Sequence, residues 1–148
     1  MANPFDLHSV LLAKHAQHVV LVHFPIALFM AGVAFDLLSR GKRGSPLASA
    51  AYLNLTCAAV AVIPTFITGV LAWQFALEGK TLKGLLLMHL LAGWCTMLLV
   101  WISWWTHWRA RKSQSFTLPA YRVPIELLGA GAIALTAHLG GFLTGVNL

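Results

Sequence analysis

Three histidines within long apolar runs are the residues of this chain best suited to chemistry. They are His23, His89 and His138. An ionisable side chain is costly in hydrocarbon, so a histidine at that depth is a functional candidate by default. Neutral imidazole is a good ligand for haem iron, copper and zinc. Ligation by several histidines requires the chain to bring these side chains to one level.

The elements that position them are membrane-spanning helices. The chain has 148 residues, of which 59% are hydrophobic and 9% charged, whereas an average soluble domain carries roughly 25% charged residues. Four apolar runs are long enough to cross about 30 Å of hydrocarbon, at residues 19–38, 50–77, 85–105 and 123–146. We predict an all-α fold, an antiparallel bundle of four transmembrane helices, as a single domain over residues 1–148. A short amphipathic segment, residues 5–17, precedes the first span.

The distribution of basic residues predicts the orientation of the bundle. The first and third loops hold seven lysines and arginines, and the N-terminal tail and second loop hold three. The positive-inside rule therefore places both termini on the outer, periplasmic side. The formal net charge of +6 is then a topology signal and not a sign of nucleic-acid binding. We expect a multi-pass protein of the bacterial inner membrane, in contact with lipid.

Helix geometry places the three histidines at nearly one depth. His23 lies about 10 Å along the first helix, His89 about 9 Å along the third, and His138 about 13 Å before the end of the fourth. The first and third helices enter from the outer side and the fourth ends there, so all three imidazoles lie in the outer half of the membrane. Two histidines from different helices can clamp a haem. Small residues that would admit a flat ring follow them, among them Gly93 and Gly140.

Other interpretations of these histidines remain open. A histidine in a span commonly hydrogen-bonds a carbonyl or threonine of the next helix, and Thr65 and Thr68 are available for this. A copper or zinc site formed by the three histidines with His18 is the main alternative to haem. A structural anchor subunit with no cofactor is a third hypothesis. We find no catalytic constellation of a hydrolytic enzyme beside the histidines.

The remaining polar residues are expected to have structural roles. Asp36 and Glu126 are predicted to form ion pairs with Arg40 and Arg122, at helical i+4 and i−4 spacing. His107 is predicted to open the third loop, residues 107–122, with no partner at its depth. His8 and His15, with His18, form a weaker set that we interpret as interfacial. The sequence shows no convincing internal repeat.

The segment HVVLVHFPIAL, residues 18–28, resembles the first-helix signature of a bacterial family of four-helix membrane proteins of unknown function. Further similarities are Thr68-Gly69 followed by Trp73, His89 leading the third helix, and a late His138-x-Gly-Gly. The resemblance covers nearly the whole chain. Relatives occur fused to, or beside, Rieske iron–sulfur and cytochrome components, which implies membrane redox work.

The resemblance implies haem b held by the motif histidines, here His18, His23, His89 and His138. Four histidines exceed the two axial ligands of one haem. Either two haems lie side by side near the outer face, as across a homodimer, or two histidines serve haem propionates or quinol. We therefore expect a b-type cytochrome, an electron-transfer subunit between quinol and an outer-side partner such as a periplasmic cytochrome or a Rieske protein.

Overall fold

Four membrane-length segments account for nearly all of the described structure. The computed structural model describes residues 14–40, 42, 44–76, 78–79, 81–113 and 117–144. Within them lie the helices α1 (Lys14–Leu21), α2 (His23–Ser39), α3 (Pro46–Ala76), α4 (Gly84–Lys112) and α5 (Arg122–Leu143). Helices α1 and α2 together form the first span, Ala16–Ser39, and α3, α4 and α5 supply the other three. The predicted all-α fold with four spans is confirmed for this part of the chain. Most of the predicted amphipathic segment 5–17 lies outside it.

The first span is interrupted where its proline predicts. Pro25 has no N–H, so the carbonyl of Leu21, four residues earlier, loses its helical hydrogen bond. The helix is interrupted at Val22, between α1 and α2. The hydroxyl of Thr65 on α3 lies 3.2 Å from the freed Leu21 carbonyl and 2.9 Å from the Ala61 carbonyl of its own helix, so its one proton is shared between the two. A neighbouring helix thus satisfies the polar group that the proline exposes, as hydrocarbon requires.

The spans pack as two helical hairpins. Helix α3 packs along α1 and α2, and α5 packs along α4. The hairpins meet where α3 contacts α4 and where α2 contacts α5. The buried core is formed by Phe29, Val33, Leu55, Ala58, Ala59, Val62, Val100 and Ile133. Many large apolar side chains are exposed on the outside of the bundle, as expected where lipid is the solvent.

A few residues of the first hairpin have counterparts in the second at an offset of 71 residues. Four pairs of residues are separated by this offset, and every one of these residues makes a polar contact or packs closely with a neighbouring helix. The pairs are His18 and His89, Thr65 and Thr136, Gly69 and Gly140, and Asp36 and His107. With this offset α2 corresponds to α4 and α3 to α5, so the contact between α2 and α5 corresponds to the contact between α4 and α3. This is the pattern of a parallel repeat, whose axis runs along the bundle. The sequence itself shows no convincing internal repeat, because the matching positions are few and widely spaced.

Helix α4 is longer than the apolar run that predicts it. It continues from Trp105 to Lys112 because arginine, lysine and alanine are good helix formers. Its basic last turn also complements the negative end of the helix dipole. Arg109 lies 4.9 Å from the ring of Trp105, and Lys112 lies 4.3 Å from that of Trp108. As a consequence His107 belongs to a helix and not to the third loop.

The close contact of α5 with α2 depends on a missing side chain. A β-carbon at buried Gly129 would lie 2.7 Å from Cζ of Phe29. We expect Gly129→Ala to lower the free energy of unfolding by about 1–3 kcal/mol, the usual effect of overpacking. Thermal unfolding in detergent, followed by circular dichroism, measures this. The matched control is Gly131→Ala, since a β-carbon there meets nothing within 4 Å. Equal stability of the two variants would contradict the packing described.

Candidate cofactor site

The imidazole of His18, on α1, is seated against α3. Its Nδ1 lies 3.0 Å from the carbonyl oxygen of Thr65 and 3.4 Å from Oγ1 of Thr68. A nitrogen that faces a carbonyl carries the proton, so Nδ1–H donates and Nε2 holds the lone pair. A β-carbon at Gly69 would lie 2.9 Å from Cε1 of the ring. The glycine is therefore what lets the imidazole approach α3 so closely.

The imidazole of His89, on α4, is seated against α5 in the same way. Its Nδ1 lies 3.1 Å from the carbonyl oxygen of Thr136. A β-carbon at Gly140 would lie 3.1 Å from Cε1 of the ring. Both histidines precede the threonine they contact by 47 residues. We call the two arrangements the histidine seats: His18 with Thr65 and Gly69, and His89 with Thr136 and Gly140.

Each seat uses a Thr-x-x-x-Gly spacing on the receiving helix. Residues four apart lie one above the other on the same helix face, so the threonine carbonyl and the glycine meet the same imidazole. A carbonyl oxygen has two lone pairs and can accept from the imidazole as well as from its own helix. The small glycine permits close approach. The interpretation of Thr65 and Thr68 as partners for a histidine of the next helix is confirmed, and that histidine is His18.

The other two motif histidines lie outside the seats. His23 is the first residue of α2 and is exposed. His138, on α5, is also exposed, and its ring meets that of Phe142 edge-on with 4.9 Å between centroids. His8 and the side chain of His15 lie outside the described part of the chain. The sequence grouped His23, His89 and His138 by depth, and His18 entered through the copper or zinc alternative and through the family resemblance.

A second polar centre, near the opposite ends of the helices, was not predicted as a unit. His107 Nε2 lies 2.7 Å from Glu126 Oε1, and Arg122 Nε donates to Asp36 Oδ2 at 2.7 Å. His107 Nε2 also lies 4.0 Å from Asp36 Oδ1. Asp36, His107 and Glu126 are all buried. We call these three residues the acid–histidine cluster.

This centre corrects three expectations. Asp36 pairs with Arg122 and not with Arg40, and Glu126 pairs with His107 and not with Arg122. His107, expected to have no partner, contacts both acids. The physical reason is that the acids face the bundle interior, while Arg40 leaves the helix in a left-handed conformation, φ 50°, and is exposed. Asp36 and His107 stand 71 residues apart, the same offset that relates His18 to His89.

Three ligand atoms of the acid–histidine cluster lie within 4.8 Å of one another. No other group of three or more histidine, cysteine, aspartate or glutamate side chains in the described ranges is so arranged. Neither histidine seat belongs to such a group in the described ranges, whereas the cluster presents a mixed set of nitrogen and oxygen ligands. The two centres differ in chemistry as well as in position.

Comparison with known proteins gives a family and no activity. A family model described as "Predicted membrane protein (DUF2231)" matches residues 14–146. No curated protein and no solved structure gives a significant match to the chain. The matched region includes all four spans, both histidine seats and the acid–histidine cluster.

Proposed function

We propose that this chain, which belongs to the DUF2231 family of predicted membrane proteins, is a membrane b-type cytochrome that carries electrons between quinol and a redox partner on the outer side. It is a multi-pass membrane protein with four helices of spanning length and composition. One observation carries the proposal: two equivalent imidazoles, His18 and His89, are each held at Nδ1 by a backbone carbonyl. We assign these two as the axial ligands of haem b.

The residues of the seats fit haem ligation. A ligating histidine almost always donates its other ring N–H to a carbonyl, carboxylate or water, which fixes the tautomer and raises the basicity of the ligand. Both seats provide this carbonyl, from Thr65 and Thr136. Removing such a partner typically costs 10–100-fold in metal affinity. The same carbonyl and glycine construction holds an imidazole in both hairpins.

Open space on α4 and an aromatic pair between α3 and α4 suit a flat apolar group. A β-carbon at Gly93, one turn along α4, would meet nothing within 4 Å. The rings of Phe66 and Trp94 lie close together, with 4.4 Å between centroids. Haem iron, when bound, supplies one-electron redox chemistry. The residues of the chain would hold it, orient the imidazoles and shield it from water. We assign the exposed His23 and His138 to the haem propionates or to quinol.

The two seats allow two ways of pairing the axial ligands of the haem. Because His18 and His89 belong to different hairpins, they serve one haem between them or one haem each, with a second copy of the chain completing each site. Only the arrangement with one haem at each seat requires a homodimer. On the outer side, a periplasmic cytochrome or a Rieske protein would be the electron-transfer partner.

A visible difference spectrum tests the proposal. The protein is expressed with ample haem, purified in detergent without chelators, and measured as dithionite-reduced minus oxidised. We expect a sharp b-type α-band, with one haem per chain by pyridine haemochrome, because each chain supplies two axial imidazoles. Membranes from cells that lack the protein give the baseline. A folded protein without the band would overturn the cytochrome, and copper or zinc found by metal analysis would then assign the seats to metal handling.

A further inference from the structure

Two buried carboxylate oxygens of the acid–histidine cluster have no hydrogen-bond partner in the described part of the chain. They are Asp36 Oδ1 and Glu126 Oε2. Both acids are fully buried, with 0% of their surface exposed. An unsatisfied buried acceptor is destabilising, and more so when it is charged. The cluster is therefore short of a donor or a cation.

The charges around the cluster point to a cation. Arg122 pairs with Asp36 at 2.7 Å and compensates one carboxylate. With His107 neutral, Glu126 leaves an excess negative charge at a depth where charge is costly. A proton on His107 would restore neutrality, but Oδ1 of Asp36 and Oε2 of Glu126 would still have no partner. A cation among the three side chains can contact a carboxylate oxygen of each acid.

We propose that the acid–histidine cluster binds a divalent transition-metal ion, with Asp36 Oδ1, His107 Nε2 and a Glu126 carboxylate oxygen as its ligands. Protein nitrogen and oxygen ligands bind zinc at roughly 2.0–2.2 Å, so ligand atoms on one ion lie about 3–4 Å apart. The ligand atoms of the cluster lie within 4.8 Å of one another, so small side-chain adjustments suffice. One imidazole with two carboxylates suits the class of Zn²⁺, Fe²⁺ and Mn²⁺.

A cavity lies beside the cluster, on the side of His107. It has a volume of about 220 Å³, and His107 forms part of its wall. Ser49, at the start of α3, and Arg111, at the end of α4, line it as well. Arg111 is held to one side, with its guanidinium 3.4 Å from the Ser49 hydroxyl and 4.2 Å from the Tyr52 ring. The ion would enter from the end of the bundle that the positive-inside rule predicts to be cytoplasmic.

Cobalt titration tests the site. Chelator-stripped protein in detergent is titrated with Co²⁺, followed by visible absorption, with Zn²⁺ as competitor. We expect one equivalent to bind to the wild type, and at least tenfold weaker binding to Glu126→Gln and Asp36→Asn. The matched control is Glu78→Gln, an exposed loop acid, which should bind as the wild type does. A His18→Ala/His89→Ala double variant should also bind one equivalent of Co²⁺. The result of the titration is therefore independent of the haem proposal.

Two further measurements separate a metal site from a structural ion pair. Arg122→Gln removes a positive charge beside the site, so Co²⁺ should bind at least about tenfold more tightly. Zinc K-edge absorption of the wild type should show one imidazole with oxygen ligands, and this decides the case even where a variant fails to fold. The proposal is overturned if the wild type takes up no Co²⁺, if Glu126→Gln binds it unchanged, or if two or more imidazoles surround the zinc.

Discussion

Replacing either His18 or His89 with alanine is expected to abolish the b-type spectrum of the purified protein. Each substitution removes an axial imidazole together with the Nδ1 hydrogen bond that orients it, to Thr65 or Thr136. Loss of that orienting bond alone typically costs 10–100-fold in affinity, so loss of the ligand itself should leave the haem unbound. The measurements are the Soret and α-bands and the haem content per chain.

The matched controls are His23→Ala and His138→Ala, which remove exposed imidazoles. They should keep the haem, with at most a shift in the band or in the reduction potential. Added imidazole should restore part of the spectrum in His18→Ala and His89→Ala, because the cavity left by the side chain admits it. If either seat variant kept the wild-type spectrum, or if the controls lost the haem instead, the axial assignment would be wrong.

Asp36→Ala should be among the most destabilising single substitutions in the bundle. The side chain of Asp36 is fully buried and that of Arg122 is only 12% exposed. Removing the carboxylate leaves the Arg122 charge without its partner, and breaking a buried pair in this way costs about 3–5 kcal/mol. Reversible unfolding in mixed detergent measures the change in the free energy of unfolding.

A double-mutant cycle distinguishes this pair from a general packing effect. The Asp36→Ala/Arg122→Ala variant should lose less free energy of unfolding than the sum of the losses of the two single variants. Glu78→Ala, at an exposed acid, should change stability by no more than about 0.5 kcal/mol. A loss below about 1 kcal/mol for Asp36→Ala, or simple additivity in the cycle, would show that the ion pair contributes little.

The sequence alone predicts the membrane-spanning helices, but it does not predict the contacts between them. Four spans follow from the length of apolar runs, and the break before Pro25 follows from its missing N–H. Depth along a helix also follows from sequence, because the rise per residue is fixed. Rotation about the helix axis does not. His23 and His89 share a predicted level, yet His23 is exposed and His89 contacts Thr136.

Long-range pairing was the other part that spacing could not supply. Asp36 and Arg122 are 86 residues apart, whereas Arg40 stands at the i+4 position that favours local pairs on an exposed helix surface. The i+4 rule does not predict the partner of an acid that faces the interior of the bundle, because that partner comes from another helix.

The equivalence of Asp36 and His107 has a consequence for how such a bundle can be assembled. Two identical hairpins related by a two-fold axis would set aspartate against aspartate, or histidine against histidine, where these residues now lie 4.0 Å apart. Like charges that close repel each other in a medium of low dielectric constant. Joining two different hairpins in one polypeptide removes this frustration, since an acid can then meet a base. The chain is in effect a tethered heterodimer of half-bundles, in which an acid of one half lies beside a histidine of the other.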